Sequence, residues 1–323
     1  MKRSKVSVVI PVYNEEDNLE RLFERLMPVM SSLGREYEVI LVDDGSTDRS
    51  LDILLKHMVH GIKVVELTRN YGQHAAVFAG FETAGGDIII TMDADLQNPP
   101  EEIPRLIDTM EEGNYEVVGT VRRARKDSIF RKIPSRVVNS ITRRITGVNL
   151  TDWGCMLRAY RRSVVEHMIA AREHSTFIPA LASVYAKDIV EIEVGHEERF
   201  AGESKYSFAR LVSLHFDLIT SFSDFPLKFM LYTGFLLAFM GIGFGLVLIV
   251  ARIYFGAHWA AEGVFTLFAV LFFFMGALFM ALGVMGEYVG RIYKEVKRRP
   301  SYTIRRVYSS EGLINEDSGF RVS

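Results

Sequence analysis

The sequence contains very little cysteine: one residue, Cys155, among 323. A single cysteine excludes a disulfide within the chain and a zinc site built from cysteines. An excess of charge of one sign is also lacking, because 38 Lys and Arg against 40 Asp and Glu leave a formal net charge of −2. Without a global basic field, we expect no nucleic acid as a partner. Any attraction to phosphate must come from local groups of lysine and arginine.

The amino terminus lacks the pattern of a signal peptide. Only seven residues, 6–12, follow the basic start before turn-forming and charged residues return, and no small-residue cleavage site is present. A secretory signal needs a longer apolar region, so we expect none. Hydrophobic residues nevertheless make up 49% of the sequence, and the mean hydropathy is +0.13. That excess requires a local cause.

The cause is a pair of uncharged runs near the carboxyl end, residues 229–251 and 264–286. As helices, at about 1.5 Å per residue, each would be about 34 Å long and could cross a hydrocarbon core of about 30 Å. The alternative is a pair of buried core helices, although core helices of this length rarely lack charge altogether. We therefore predict a transmembrane hairpin over 227–287, followed by a basic tail over 288–323.

Basic residues flank the predicted hairpin on one side, with Lys228 before it and several lysines and arginines between 291 and 299 after it. The positive-inside rule places that side, and with it both termini, in the cytoplasm. Residues 207–226 have apolar side chains at helical spacing, for example Phe208, Leu211 and Phe222. This spacing predicts an amphipathic helix in the membrane interface, or alternatively a helix packed on the soluble domain.

Residues 1–206 alternate short apolar runs with helical patterns, which predicts a cytoplasmic α/β domain. Five runs are typical of strands: 6–12, 38–44, 63–67, 87–93 and 115–121. Continuous apolar strands separated by helices indicate a mostly parallel, Rossmann-like sheet covered on both faces. Ligands of such sheets bind beyond the carboxyl ends of the strands.

Acidic residues follow three of these strands, with Glu15 after the first, Asp43 and Asp44 after the second, and Asp93 and Asp95 after the fourth. A lone Asp-x-Asp or Asp-Gly-Ser is often only a turn. Three such sites at one sheet edge indicate that a cation offsets the repulsion between the carboxylates. Oxygen ligands favour Mg²⁺ or Mn²⁺.

Over the whole chain, these motifs resemble the GT-A fold of family-2 glycosyltransferases, of the type that uses a polyprenyl phosphate. The resemblance implies a UDP-sugar donor and a nucleotide site made of Pro11, Tyr13, Glu15, Asp43, Asp44, Asp93 and Ala94. It implies the metal ligands Asp93, Asp95 and Gln97, with Asp95 counted as catalytic. Cleavage of the sugar–diphosphate bond builds negative charge on UDP, which a metal ion stabilises.

Basic residues provide the expected acceptor site. Charge runs are usually solvated faces, but Gly202-Glu203-Ser204-Lys205 behind Arg199 resembles the lipid-phosphate clamp of dolichol- and undecaprenyl-phosphate transferases. The resemblance assigns the acceptor phosphate to Arg122, Arg131, Arg199, Ser204 and Lys205. It also makes Asp152 catalytic, beside the donor sugar or the reacting centre, although an Asp that caps the turn before a strand is the alternative.

A phosphate acceptor needs no strong catalytic base, since a phosphate monoester is largely dianionic at pH 7, with its second pKa near about 6. The sequence also lacks the Gln-x-x-Arg-Trp motif of processive polysaccharide synthases, which favours one transfer per acceptor.

Several stretches, among them 69–74 and 286–293, resemble the family members that transfer 4-deoxy-4-formamido-L-arabinose to undecaprenyl phosphate for lipid A modification and resistance to cationic peptides. The stretch 69–74 follows the third strand, so we expect it near the donor sugar. Two alternatives remain: a polyprenyl-phosphate glucose or mannose synthase, and a non-catalytic membrane subunit for sugar-lipid transport. The expected location is the bacterial inner membrane, with membrane lipids as partners. The sequence leaves the oligomeric state open, a homo-oligomer included.

Overall fold

The computed structural model describes residues 4–122, 155–171, 177–195, 225–255, 264–297, 300–310 and 312–315. The chain divides into two compact units. One comprises residues 1–206 together with 300–323, and the other comprises residues 207–299.

The first unit is built on one nine-stranded sheet. Its strands are β1 (Val6–Val12), β2 (Tyr37–Asp43), β3 (Ile62–Leu67), β4 (Ile88–Thr91), β5 (Val117–Arg122), β6 (Arg158–Arg161), β7 (Ile189–Val194), β8 (Ile304–Ser309) and β9 (Gly312–Asn315). Their order across the sheet is β7-β5-β6-β4-β1-β2-β3-β8-β9.

Helices cover both faces of this sheet. They are α1 (Glu16–Ser32), α2 (Ser50–Lys56), α3 (Gln73–Thr83), α4 (Ile103–Glu112) with a 3₁₀ turn before it (Pro100–Glu102), α5 (Arg162–Ala171) and α6 (Ile178–Tyr185). Val8 and Ile10 of β1 share a core with α1, whereas Val9 points to the opposite face, as the strand period of two requires. There α3 approaches closely, because a Cβ on Gly80 would collide with Val9 Cγ1.

The predicted α/β fold is confirmed, but the sheet is less parallel than expected. Strands β1 to β4 pair in parallel, as do β5 and β7. Strand β6 runs antiparallel between β4 and β5, and β8 runs antiparallel on β3. The predicted mostly parallel arrangement therefore holds for the centre of the sheet, while later segments of the chain fill antiparallel positions towards both edges.

Strands β8 and β9 were not predicted. The sequence assigned 288–323 to a basic tail, yet residues 304–309 and 312–315 extend the sheet of the first unit beyond β3. Val307 is buried, whereas Arg305 and Arg306 are exposed. A short strand with two adjacent arginines carries little apolar signal, so only its tertiary pairing identifies it.

The second unit contains two long helices, α7 (Phe225–Phe255) and α8 (Val264–Lys297). Pro226–Val247 and Phe273–Gly290, with mean hydropathies of 1.9 and 1.5, are long and apolar enough to cross a membrane. Neither stretch is buried inside the protein, as a core helix would be. The two helices indicate membrane association. The predicted interfacial helix lies, apart from its last residues, outside the described residues.

Candidate active site

Four loops meet where the parallel strands β1 to β4 end. Hydrogen bonds join the first two: the Asn14 N–H donates to Ser46 Oγ (3.1 Å), and the Thr47 N–H donates to Asn14 Oδ1 (2.8 Å). Asn14 has a positive φ of 54°, a conformation that asparagine tolerates better than most residues. The loops after β1 and β2 are therefore built as one structure.

Asp44 ties the loop after β2 to the loop after β3. Its side chain is 2% exposed, and its two oxygens accept the backbone N–H groups of Tyr71 (2.7 Å) and Gly72 (2.8 Å). Burial raises the pKa of Asp44 although these hydrogen bonds oppose the shift, and the neighbouring Asp43 charge raises the pKa further. Asp44 thus organises the crevice, and its expected contact with uridine stays a prediction.

Asp43 is equally buried, and its carboxylate accepts the Ser46 backbone N–H at 3.3 and 3.4 Å. Burial raises its pKa, hydrogen bonds from Ser46 oppose the shift, and the charges of Glu66 and Asp48 add to it. Two adjacent buried carboxylates with raised pKa values are typical of functional sites.

Gly45 allows close contact between the loop after β2 and the loop after β3. Its φ is +66°, and a Cβ there would lie 2.5 Å from the carbonyl carbon of Arg69. Any side chain would separate the loops, so glycine is required at this position.

The loop after β4 carries the predicted metal ligands. Gln73, the first residue of α3, donates a hydrogen bond from its side-chain amide to Asp93 Oδ1. Asp95 is buried, and its Oδ1 accepts the Gln97 N–H at 3.1 Å, across Leu96 with its positive φ of 58°. Asp93 is therefore tied to the start of α3, and the local turn fixes the carboxylate of Asp95.

These residues fit a magnesium or manganese ion only together with a substrate phosphate. Among the described residues, no three His, Cys, Asp or Glu side chains form a group that could hold a metal. Mg²⁺ in phosphate-transfer sites is usually bound through one or two carboxylates and the substrate phosphates. Asp93 and Asp95 supply that number of carboxylates, and the Gln97 side chain is half-buried beside them in sequence.

The remaining nucleotide-site predictions also fall at this edge. The ring of Tyr13 is 40% exposed directly after β1. Glu15 accepts a hydrogen bond from the Asn18 amide, and its own N–H donates to Ser50 Oγ at 2.9 Å. Pro11 is half-buried in β1 and Ala94 is buried between the two aspartates. An exposed aromatic ring among fixed polar groups suits the stacking of a nucleotide base.

A buried polar cluster lies at the end of the metal loop. The Cys155 thiol donates to Asn98 Oδ1 (3.3 Å), and the Thr120 hydroxyl lies 2.8 Å from the same sulfur and donates to the Leu157 carbonyl (2.7 Å). Asn98 follows Gln97, and Thr120 lies two residues before Arg122. The cluster thus joins the loop after β4 to β5 and to the chain that follows Asp152.

Most of the predicted acceptor site lies outside the described residues, namely Arg131, Arg199, Ser204 and Lys205, and so does the predicted catalytic residue Asp152. Arg122 is the last residue of β5, parallel to β7. The structure therefore adds no contacts for the predicted acceptor residues.

Several residues of the site were not singled out from the sequence. Asn98, Thr120 and the almost fully buried Arg158 carry no local motif, because each takes its role from partners more than 30 positions away or from burial. His74 packs edge-on against Phe177, and burial lowers its pKa to about 4, which leaves the ring neutral at pH 7. Of these residues, only His74 lay in a stretch that the sequence singled out, because residues 69–74 follow the third predicted strand.

Comparison with known proteins identifies the family. The model of glycosyl transferase family 2 matches residues 7–169, which include all of β1 but its first residue, β2 to β6 and every loop described above. The chain belongs to glycosyl transferase family 2. It is a glycosyltransferase, and its α/β domain has the GT-A fold.

Curated relatives are similar over nearly the whole length of this transferase. A protein from Klebsiella pneumoniae (strain 342), named undecaprenyl-phosphate 4-deoxy-4-formamido-L-arabinose transferase, is 54% identical over 94% of this chain and 93% of its own. A protein of the same name from Proteus mirabilis (strain HI4320) is 53% identical over 95% of this chain and 94% of its own.

Among solved structures, glucosyl-3-phosphoglycerate synthase from Mycobacterium tuberculosis with phosphoglyceric acid is similar, with a TM-score of 0.49. It is 20% identical over 68% of this chain and 79% of its own. Another structure of that synthase, with a TM-score of 0.48 and 19% identity over 67% of this chain and 78% of its own, contains Mn²⁺ and UDP-glucose.

Proposed function

We propose that this transferase moves 4-deoxy-4-formamido-L-arabinose from its UDP-sugar to undecaprenyl phosphate. The observation that carries the proposal is the identity of 53–54% to relatives of that name over 94–95% of the chain. Similarity at this level spans the loops at the sheet edge and the two long apolar helices alike. The sugar-lipid product would serve lipid A modification and resistance to cationic peptides.

The donor nucleotide binds in the crevice at the ends of β1 and β2. The exposed ring of Tyr13 stacks on the uracil, with Pro11 and Glu15 beside it. The buried carboxylate of Asp43 accepts hydrogen bonds from the base, while Asp44 holds the adjoining loop through Tyr71 and Gly72. Asp93 and Ala94 lie at the ribose and diphosphate.

Asp93, Asp95 and Gln97 would hold the cofactor, Mg²⁺ or Mn²⁺, together with the diphosphate of the donor. When bound, the ion offsets the negative charge that develops on UDP. Gln73 holds Asp93 in place through its amide, and the turn from Asp95 to Gln97 fixes the second carboxylate.

The acceptor phosphate binds to Arg122, Arg131, Arg199, Ser204 and Lys205. One of its oxygens attacks the anomeric carbon of the sugar and forms the new C–O bond. The bond from that carbon to the diphosphate breaks, UDP leaves with the electron pair, and the anomeric configuration inverts. Asp152 contacts the donor sugar or the reacting centre. The chain needs no general base because the acceptor is already an anion at pH 7.

The two apolar helices support a reaction at a membrane surface. With the basic flanks of Lys228 and residues 291–299 on the cytoplasmic side, the catalytic domain and both termini lie in the cytoplasm and the connection at 256–263 in the periplasm. A lipid acceptor that stays in the bilayer requires a catalytic domain tethered at the headgroup level.

A panel of UDP-sugars tests the donor and the reaction together. The purified full-length protein is incubated with undecaprenyl phosphate, Mn²⁺ and, in turn, UDP-4-deoxy-4-formamido-L-arabinose, UDP-glucose and GDP-mannose. We expect UDP release only with the formamido sugar. Turnover with glucose or mannose instead would make the protein a different polyprenyl-phosphate synthase, and no turnover with any of the three donors would contradict the proposed reaction.

A further inference from the structure

The segment that follows α8 bonds to the loop after β3. The Thr68 N–H donates to the Thr303 carbonyl at 3.0 Å. The hydroxyls of Thr68 and Tyr71 lie 2.8 Å apart, and hydrogen bonds with Thr303 and Thr68 lower the pKa of the Tyr71 phenol. The loop 68–72 is thus held from outside by residue 303, which lies 235 positions later in the sequence than Thr68.

The same loop forms the inner wall of the crevice. The backbone N–H groups of Tyr71 and Gly72 bind the carboxylate of Asp44, and the next side chain, Gln73, binds Asp93. Hydrogen bonds therefore link Thr303 through Thr68 and Tyr71 to Asp44. Gln73, two residues after Tyr71, extends the link to Asp93.

Strand β8 also supplies charge compensation. Glu66 in β3 is 5% exposed, and its two oxygens bind Arg305 Nη1 (3.0 Å) and the Tyr308 hydroxyl (2.9 Å). The charge of Glu66 contributes to the raised pKa of Asp43. Loss of β8 would leave Glu66 without these two partners, at a position where its field acts on Asp43.

The other end of α3 contacts the same segment. Burial raises the pKa of Tyr302, and the nearby Glu82, in the last turn of α3, raises it further. Tyr302 thus lies near the end of α3, and Thr303 bonds to the loop before the start of α3.

We infer that residues 302–309 are a positioning element of the donor site, which holds the 68–73 loop so that Asp44 and Asp93 face the UDP-sugar. The inference rests on the proposed function, because it concerns the donor of that reaction. Thr303 and Tyr71 carry the link through hydrogen bonds, and Arg305 carries it through Glu66.

Point variants test the link in the intact chain. Tyr71→Phe removes the hydroxyl that bonds to Thr68, the residue held by Thr303, and Arg305→Gln removes the charge beside Glu66. Each should raise the KM for the UDP-sugar and the Kd for UDP about three- to tenfold, the range for one net hydrogen bond. The KM for undecaprenyl phosphate should stay unchanged. The matched control is Tyr37→Phe, whose hydroxyl lies 3.4 Å from Ser31 Oγ, with Tyr37 at the opposite end of β2.

Two truncations extend the test. A stop after Arg299 removes β8 and β9, whereas a stop after Asn315 removes only residues 316–323 and should bind UDP as the wild type does. The first should lose UDP affinity by more than either point variant. The truncation after Arg299 also exposes the edge of β3 and could destabilise the fold. Its thermal unfolding is therefore compared with that of the point variants, which keep β8.

The results separate the inference from the function on which it rests. If wild-type protein transfers the sugar and Tyr71→Phe and Arg305→Gln retain its KM for the UDP-sugar, the positioning role is wrong and the function stands. Equal increases in the KM values for donor and acceptor would also overturn it, since they indicate a general loss of structure. Failure of the wild type to bind UDP would overturn the proposed function itself.

Discussion

Replacement of Asp44 by asparagine tests whether its hydrogen bonds to the loop after β3 support UDP binding as well as the stability of the fold. Both oxygens of Asp44 accept backbone N–H groups, at 2.7 and 2.8 Å. Asparagine has one acceptor oxygen, so its NH₂ would face one of the two N–H donors. The variant therefore loses a charge-assisted hydrogen bond, worth about 1.5–3 kcal/mol, and leaves a buried donor unsatisfied, at about 1–3 kcal/mol.

Part of this loss is offset. Burial of the charged carboxylate is unfavourable, as the raised pKa of Asp44 indicates, and a neutral amide avoids this penalty. We therefore expect a net loss of about 2 kcal/mol. If all of it opposes the arrangement of Tyr71 and Gly72 that UDP requires, the affinity for UDP falls by up to roughly 30-fold. Isothermal titration of the full-length protein with UDP and Mn²⁺ measures the affinity, and thermal unfolding measures stability.

Asp48→Asn is the matched control. Its oxygens also accept two backbone N–H groups, from Ser50 (2.9 Å) and Glu16 (3.2 Å), but neither belongs to the loop after β3. Both variants should unfold at a lower temperature, and only Asp44→Asn should lose UDP affinity. Wild-type affinity in Asp44→Asn, or equal losses in both variants, would refute the reasoning.

Four further predictions concern the metal ligand, the acceptor site, the cluster behind the metal loop and a buried carboxylate at the far end of the sheet. Asp95→Asn should keep the fold and lose most activity, because an amide cannot supply an anionic ligand; normal turnover with Mg²⁺ or Mn²⁺ would contradict this. Lys205→Ala should lower kcat/KM for undecaprenyl phosphate roughly ten- to a hundredfold with little change in UDP affinity, and Lys205→Arg should restore it only in part; an equal loss of UDP affinity would point to the donor diphosphate. Asn98→Ala should lower kcat more than UDP affinity, since it removes the hydrogen bond from Cys155 to the loop after β4; a lower unfolding temperature with unchanged kcat would exclude a positioning role. Glu38→Gln should reduce stability at pH 7 by about 3 kcal/mol, and the difference from wild type should vanish as the pH falls from about 4.5 towards about 2.

The sign of the Glu38 effect follows from its contacts. Burial alone would raise the pKa of Glu38, but hydrogen bonds from Ser7, Gly85 and Lys63 outweigh burial and lower it to about 2. A carboxylate with a depressed pKa stabilises the fold above its unfolded pKa, and the stabilisation is lost as the pH falls through the folded value. Glu38 and its partner Lys5 lie towards the amino ends of the parallel strands, so UDP affinity at pH 7 should stay unchanged.

The central strands could be predicted because their local sequence matches their environment. Strands β1 to β4 are buried on both faces, which gives continuous apolar runs, and polar residues such as Asp43 and Asp93 mark where the runs end. Parallel pairing then brings those ends to one edge. Local sequence was therefore enough to predict that the acidic loops lie at one edge of the sheet.

The later strands could not be predicted in this way. Strand β6 contains the fully buried Arg158, whose Nε donates to the Cys155 carbonyl at 2.9 Å, and a buried arginine contradicts every local pattern for a central strand. Strand β8 depends on Glu66, 239 positions earlier than Arg305. Such partners appear only when the chain is folded, and the same holds for the contact of Asp44 with Tyr71.

The most direct test of the central claim is the mass of the lipid product. Full-length protein in undecaprenyl-phosphate vesicles is incubated with UDP-4-deoxy-4-formamido-L-arabinose and Mn²⁺, beside an equal reaction with UDP-glucose, and the extracted lipid is analysed by mass spectrometry. We expect undecaprenyl phosphate carrying one formamido-arabinose residue, and unmodified lipid with UDP-glucose. A glucose adduct, or unmodified lipid in both reactions, would contradict the account.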